Sequence, residues 1–365
     1  MIICPASFSA REKDWGGAHK QEAWMISQGL TGRLLSYYSV TVDQAESKNS
    51  FNFYRRFMRR GNKNNAAPWQ GKVSLFIDSG AFSAWSKGVQ IKLDEYIAFI
   101  KENIDIIDVY ANLDVIGDAQ ATWKNQEIME GQGLSPLPCF HYGEDFKWLK
   151  FYLDRGHDYI ALGGMVPISS AALEPWLNVV FSRHICGEDG MPLVKIHGFG
   201  LTSLPLMIRY PWYSVDSTSW VMTSRMGAVY VPRFRSGEWI YNENPWKVSV
   251  SSRSPAKEEA GEHFDTLPPK AKEEIKAYFE QKNYIMGTSE FHQESKNYIL
   301  RDNERWASKK GTDRRDVETI IQEGLCNSYK KRDELNVIYF LDLEKYLPAW
   351  PWAFKGSRRV GLGLM

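Results

Sequence analysis

The chain predicts an α/β protein: a (β/α)8 TIM-like barrel over residues 1–220, with an appended C-terminal α+β subdomain over residues 221–365. Three observations predict it. Short β-rich runs recur eight times before residue 220, the spacers between them are long enough for crossover helices, and several spacers carry apolar residues at helical spacing. The competing architecture is an open doubly wound sheet, but no Gly-rich dinucleotide fingerprint follows the first run.

In order, the runs are residues 2–6, 34–40, 74–78, 108–114, 137–141, 159–163, 193–198 and 213–216. Leu93, Tyr96, Ile97, Ile100 and Ile104 form one apolar helical stripe. Trp148, Leu149 and Tyr152 form another, and Trp176, Val179 and Val180 a third. After residue 220 the pattern changes. Residues 228–234 and 238–241 flank Arg235-Ser236-Gly237, with 246–250 following, and this reads as antiparallel. Leu267-Pro268-Pro269 opens an expected helix over 270–282, with proline in its first turn. A second helix is expected over 314–324, ending at Gly324. One late helix is free to return to the barrel.

The ends of the runs share a chemistry. Phe76-Ile77-Asp78-Ser79-Gly80-Ala81-Phe82 and Tyr213-Ser214-Val215-Asp216-Ser217-Thr218 each stop an apolar run on an acid. That places a carboxylate at the carboxyl end of a strand, where α/β folds build their sites. Two such groups can serve as nucleophile and general acid/base at a sugar carbon. The plainer alternative is that both are turn or cap residues, since Asp-Ser-Gly and Asp-Ser-Thr are ordinary turn chemistry. The other tips are Asn112-Leu113-Asp114, His141-Tyr142-Gly143, Gly163-Gly164-Met165 and His197-Gly198-Phe199-Gly200. Polar groups and glycines thus gather at one rim, where backbone can approach a ligand closely.

Composition limits the rest. With 365 residues and 43% hydrophobic content, the chain can bury a large core in one or two domains. A formal net charge of +1 gives no global field for nucleic acid, so such binding must come from local patches. No stretch approaches ~18 uninterrupted apolar residues, and no membrane partner is expected. Met1-Ile2-Ile3-Cys4-Pro5 does not read as a signal peptide. Cys4, Cys139, Cys186 and Cys326 are scattered, with neither a disulfide framework nor a zinc-knuckle spacing. A cytoplasmic location is expected.

In motif order the rim resembles the tRNA-guanine transglycosylase superfamily, and more closely its phage and bacterial DNA-modifying branch, which inserts 7-deazaguanine bases into DNA. Asp78-Ser79-Gly80-Ala81-Phe82 resembles the family's Asp-Ser-Gly-Gly-Phe/Tyr motif, and its continuation Ser83-Ala84-Trp85 points to the DNA branch. Gly163-Gly164-Met165 resembles Gly-Gly-Leu, and His197-Gly198-Phe199-Gly200 resembles Met-Gly-Val-Gly. Val215-Asp216-Ser217-Thr218 with Arg225-Met226-Gly227 resembles Phe-Asp-Cys-Val followed by Arg-x-Gly. The likeness spans residues 1–230.

The resemblance implies base exchange without a nucleotide triphosphate or redox cofactor. Asp216 would attack C1′ of a target guanosine, guanine would leave, and a free 7-deazaguanine base (preQ0-type) would displace the enzyme. Asp78 would shuttle the proton. Asp114 would accept hydrogen bonds from the amide and amine edge of the base. Phe82 would stack on the ring, His197 or Met165 would cover its other face, and Ser79, Gly163 and Gly164 would approach it closely. His141 stands where the family usually carries a base-binding Gln, a departure that bears on which base enters. The family's structural zinc cluster also has no counterpart: only Cys326 lies in that region, and His263 and His292 do not replace three thiolates. No metal and no cofactor are expected.

For the polymer, Arg55, Arg56, Arg59 and Arg60, with Lys63 beyond, form the sharpest basic cluster. Arginines at i, i+4 and i+5 share a helix face and could cradle phosphates, or simply be a solvated face. Arg225 and Arg233 follow the Asp216 run and suit phosphate positioning. A duplex base cannot present C1′ to buried carboxylates, so extrusion of the nucleotide is expected. DNA is the favoured substrate. The alternatives are exchange on tRNA, a glycoside hydrolase using Asp78 and Asp216, and a non-catalytic nucleic-acid-binding barrel.

Overall fold

The computed structural model describes residues 1–7, 15–43, 45–58, 73–254, 261, 263–307, 314–354 and 356. The chain divides into two compact units. Met1–Phe8, Gly17–Thr218 and Leu343–Met365 form the first, and Ser9–Gly16 with Ser219–Asp342 the second.

All eight expected strand runs of the first unit are strands, although several are shorter than their apolar runs. They are β1 (Ile2–Pro5), β2 (Gly32–Ser36), β3 (Ser74–Asp78), β4 (Val109–Tyr110), β5 (Cys139–His141), β6 (Tyr159–Gly163), β7 (Lys195–Gly198) and β8 (Ser214–Ser217). Helices lie between them: α1 (Ala18–Ser27), α2 (Ala45–Met58), α3 (Ala81–Ser86), α4 (Leu93–Asn103), α5 (Ala119–Gly131), α6 (Phe146–Asp154), α7 (Ser170–Val180) and α8 (Leu204–Arg209). Side-chain caps start α5, α6 and α7, where Asp118, Asp145 and Ser169 accept from the N–H groups of Ala121, Lys147 and Ala172. The apolar stripes turn inward, burying Tyr96, Ile97 and Ile100 on α4 and Leu149 and Tyr152 on α6.

The second run, expected over 34–40, stops as a strand at Ser36, and Ser39–Asp43 makes a π-helical turn. There the Thr41 hydroxyl donates to Tyr37 O at 2.8 Å, holding a local turn that β-branched Val40 and Val42 do not announce.

Among the described residues the ladders of strands β1 to β8 are parallel, in two groups ordered β1-β8-β7-β6-β5 and β2-β3-β4. A parallel bridge between Ala111 and Leu137 joins β4 to β5, with Leu137 N donating to Tyr110 O at 2.8 Å and Asn112 N to Leu137 O at 2.9 Å. Between β1 and β2 there is no ladder pair among the described residues.

Side chains hold this seam instead. Ile2 N and Ala6 N donate to Tyr213 O and Ser217 O beside β8. The intervening Ile3 N–H faces the other way and is taken by Glu344 Oε2 at 2.7 Å, while Glu344 Oε1 accepts from Thr31 Oγ1 at 2.6 Å. Fully buried Arg33 on β2 donates to Pro5 O at 2.5 Å, to Ser7 O at 2.9 Å and to Glu22 of α1 at 2.9 Å. Tyr54 of α2 donates to the same Glu22 at 2.8 Å.

Alternation along the strands points Cys4, Leu34, Phe76, Ala111, Leu137, Cys139 and Ala161 into one interior core. Two residues beyond Phe76, Cys139 and Ala161 come Asp78, His141 and Gly163, on the same face at the carboxyl ends. The site residues are the last inward rung of the sheet.

The second unit contains α9 (Ser219–Arg225), β9 (Ala228–Val231), β10 (Arg233–Arg235), β11 (Glu238–Ile240), β12 (Trp246–Ser249), α10 (Pro269–Gln281), β13 (Thr288–Ser295), β14 (Glu304–Trp306) and β15 (Arg314–Gln322). Helix α11 (Tyr329–Tyr346) begins there, and its residues from Leu343 belong to the first unit. Strands β10 and β11 form the expected hairpin, and α10 follows its proline signal.

The helix expected over 314–324 is instead β15, the centre of an antiparallel β13-β15-β14 sheet. Its β-branched residues Val317, Thr319, Ile320 and Ile321 favour a strand. Fully buried Glu318 is held by Arg305 at 2.8 Å and Arg253 at 3.2 Å. Cross-strand partners outweighed the terminal glycine signal.

Breaking the seam network on one side should be costly, because it strands a buried charge. Glu22→Ala is expected to lower unfolding free energy by about 3–5 kcal/mol in urea titrations. The double replacement Arg33→Met with Glu22→Met should recover much of that loss.

Candidate active site

A cavity of about 720 Å³ opens at the carboxyl ends of the first unit's strands, a size suited to a small organic ligand. Asp78, Ser79, Phe82, Asp114, His141, Gly163, Gly164, Met165 and Asp216 all line it. They come from β3, β5, β6, β8, helix α3 and the loops that follow β3, β4 and β6.

Asp216, on β8, is only 6% exposed. Its Oδ1 accepts from Gly200 N at 2.7 Å, and His197 Nε2 lies 3.4 Å from the same oxygen. Gly200 reaches this position with φ of +64°, and a Cβ there would meet Val166 Cγ2 at 2.8 Å. Only glycine suits both the backbone and the space.

His197 does not line the cavity. It is fully buried behind Asp216, with Nδ1 2.6 Å from Ser214 Oγ, which lies 2.6 Å from Tyr159 OH. Its ring centroid is 4.6 Å from those of Phe76 and Phe199. The expectation that it covers a bound base is therefore corrected: His197 is in register with Ala161, one inward rung below Gly163, so its ring packs in the core next to Asp216 rather than at the cavity surface.

Asp78, at the tip of β3, accepts from Gly80 N at 3.1 Å. Burial, then the charges of Asp216 and Asp114, push its pKa up to about 7, and the Gly80 and Ser79 N–H groups offset this only in part. A carboxyl group with that proton affinity can both give and take a proton near neutrality.

The third acid sits in a tighter cluster. Asp114 Oδ2 lies 3.2 Å from His141 Nε2, and Glu144 Oε1 lies 3.1 Å from His141 Nδ1. Glu144 Oε2 also accepts the His141 backbone N–H at 3.0 Å, fixing the loop after β5. Cys139 Sγ approaches His141 Nε2 at 3.5 Å. Burial opposes the imidazolium, yet Cys139 and Asp114 raise the His141 pKa well above that of a free histidine. Burial pushes the Cys139 thiol up to about 12. Asp114 Oδ1 is buried with no hydrogen-bond partner among the described residues.

Sequence reasoning missed Cys139, Glu144 and the Gly200 amide. Cys139-Phe140-His141 did carry a signal, because residues two apart on a strand share a face. Glu144 lies in the turn three residues after His141 and had no periodic signal at all.

Asp78, Asp114, Glu144, Asp145 and Asp216 give the cavity five carboxyl groups, and no Lys or Arg lines it among the described residues. Phe82, 59% exposed, pairs with Trp85, 61% exposed, at 6.0 Å between ring centroids on α3. Of the basic candidates, Arg55 on α2 pairs with Glu102 of α4, and Arg56 is exposed. Arg59, Arg60 and Lys63 lie outside the described residues. Arg225 and Arg233 belong to the second unit. There Arg233 Nε donates to Asn244 O at 2.9 Å, and its guanidinium stacks over Trp246 at 4.8 Å.

No protein-family model and no curated protein sequence matches the chain. Among solved structures it is similar to the tryptophan synthase subunit alpha from Legionella pneumophila str. Paris, with a TM-score of 0.37 and 8% identity over 61% of this chain and 83% of that one. It is likewise similar to an enolase protein from the environmental genome shotgun sequencing of the Sargasso Sea, with a TM-score of 0.37 and 9% identity over 65% of this chain and 59% of that one. No helix among the described residues is long and apolar enough to cross a membrane.

The raised Asp78 pKa carries a sign. The folded chain holds this proton more tightly than the unfolded chain, so stability falls as pH rises from the ordinary carboxylate range to about 7. Asp78→Asn should remove that fall. Urea midpoints from pH 4 to pH 8 should show the variant gaining on wild type by on the order of 1 kcal/mol or more toward the alkaline end. A difference that stays flat across this range would contradict the assignment.

Proposed function

We propose that the chain is a base-exchange transglycosylase of the tRNA-guanine transglycosylase type, on a barrel of the TIM type, replacing guanine in DNA with a 7-deazaguanine base. The observation that carries this reading is the pairing of Asp78 and Asp216 in one cavity in contrasting environments. Asp216 is fixed by the Gly200 amide and faced by His197, as a nucleophile at C1′ requires. Asp78 sits between two other acids with a pKa of about 7, as a proton shuttle requires.

In the first half-reaction an Asp216 oxygen bonds to C1′ as the bond to the guanine nitrogen breaks, and Asp78 gives its proton to the departing base. In the second, the incoming base attacks C1′, the Asp216 ester bond breaks, and Asp78 takes the proton back. Two displacements retain the anomeric configuration. Asp114, with its unpartnered Oδ1, suits the N–H donors of a purine-like edge. Phe82 offers an exposed ring for stacking, and Met165 an apolar wall.

The acid-rich lining, without Lys or Arg among the described residues, favours a neutral base inside and phosphates outside, which fits a nucleotide flipped from the polymer. The Ser83-Ala84-Trp85 extension favours DNA over tRNA as that polymer.

The test offers purified protein a labelled 7-deazaguanine with either duplex DNA or bulk tRNA. Label is expected in DNA; label entering RNA alone would move the substrate to tRNA. Asp216→Ala should lower exchange by on the order of 10³-fold or more and abolish the trapped covalent adduct, with polymer affinity unchanged. Asp78→Asn should slow exchange by roughly 10²–10⁴-fold. Identical behaviour of wild type and Asp216→Ala would overturn the enzyme reading.

A further inference from the structure

Beside the Asp78–Asp216 pair, a cluster at the wall of the same cavity includes Cys139 and His141, which the exchange steps above do not use. We propose that Cys139, His141 and Asp114 form a three-ligand site for a divalent zinc-type cation, with its remaining coordination position open to the cavity. The inference stands on this cluster's geometry and does not depend on the exchange reading.

The potential ligand atoms, Cys139 Sγ, a His141 ring nitrogen and an Asp114 oxygen, all lie within 4.8 Å of one another. His141 Nε2 is 3.5 Å from Cys139 Sγ and 3.2 Å from Asp114 Oδ2. Around zinc, with bonds of about 2.3 Å to sulfur and about 2.0 Å to nitrogen or oxygen, tetrahedral neighbours sit roughly 3.3–3.6 Å apart. The two separations are close to the edges of such a polyhedron, and the third pair, Cys139 Sγ and an Asp114 oxygen, lies within 4.8 Å.

Three further observations point to a cation. His141 Nδ1 faces Glu144 at 3.1 Å, the carboxylate–histidine arrangement that turns Nε2 toward a metal and raises its basicity. The five carboxyl groups of the cavity have no Lys or Arg among them in the described lining, so the local field favours a positive ligand. Gly163 leaves the adjoining space open: a Cβ there would lie 2.8 Å from Cys139 Sγ and 3.0 Å from His141 Nε2.

A thiolate, an imidazole and a carboxylate together suit Zn²⁺ better than Mg²⁺ or Ca²⁺, which prefer all-oxygen sites. On binding, the thiol proton of Cys139 and the Nε2 proton of His141 leave to solvent, and the freed sulfur and ring nitrogen become ligands. Three protein ligands with an open position are the pattern of a reactive zinc site rather than a purely structural one. His141 and Asp114 line the cavity, so the open position would take water or a nitrogen or oxygen donor of a bound molecule. Monodentate ligation through Asp114 Oδ2 would leave Oδ1 free for the base edge.

The test uses the full chain, stripped with a chelator and titrated with Zn²⁺ alone and with Co²⁺ alone. Wild type is expected to bind about one equivalent, with a sulfur-to-cobalt charge-transfer band. Cys139→Ser should abolish that band, and Cys186→Ser, outside the cluster, should keep it. Glu144→Gln should retain the band while weakening affinity by roughly 10–100-fold. Circular dichroism of each variant separates loss of metal from loss of fold. Absence of stoichiometric binding by wild type, or unchanged cobalt spectra in both Cys139→Ser and His141→Ala, would overturn the site. Neither result touches the exchange reading, which stands or falls on Asp216→Ala.

Discussion

The site depends on a seam without a ladder. Asp216 stands on β8, in register with Cys4 of β1, and Asp78 stands on β3, in register with Ser36 of β2. The two acids belong to different ladders, and the short path between them crosses from β1 to β2, where the described residues make no strand pairing. Their common cavity therefore rests on side chains. Arg33 binds the backbone at the end of β1, and Glu344 takes the outward N–H of Ile3 and the hydroxyl of Thr31. A buried ion pair contributes little net stability compared with apolar packing of the same volume. Here Arg33 gives partners to backbone acceptors, and Glu344 to a backbone donor, where β1 and β2 share no ladder among the described residues.

The same economy governs the electrostatics. Acids that share a cavity cannot all ionise freely, and the protein separates their roles by what surrounds each. Asp216 has a close amide donor and an imidazole behind it. Asp78 has backbone donors too, but burial and two acidic neighbours dominate its environment. Asp114 has one oxygen against His141 and the other without a partner. The three carboxyl groups thus have three different sets of neighbours.

Much of the first unit was legible because parallel strands buried on both faces read as apolar runs, and the tips stand out where the run stops. Asp78, Asp114, His141, Gly163 and Asp216 could be picked out by that interruption alone. What failed were matters of orientation and partner. His197 sits at a strand tip like the others, but nothing in its local sequence told whether the ring would face the cavity or the wall behind Asp216. The segment 314–324 carries a helix-stop glycine and a strand's β-branched residues at once, and pairing with β13 and β14, distant in sequence, decided between them. Glu344, more than 300 positions from β1, gave no signal of its role.

An acidic cavity also constrains how a polyanion could use it. Each phosphate brought toward Asp78, Asp114, Glu144, Asp145 and Asp216 would be repelled, and no Lys or Arg in the described lining offsets this. A nucleic-acid substrate could enter only by its neutral parts, a base and its sugar, with the charged backbone held at the rim. Exposed Phe82 and Trp85 on α3 provide apolar surface there, and stacking on aromatic rings is insensitive to the sign of the cavity. On the exchange reading, affinity for the polymer and chemistry at the glycosidic bond would be supplied by different residues.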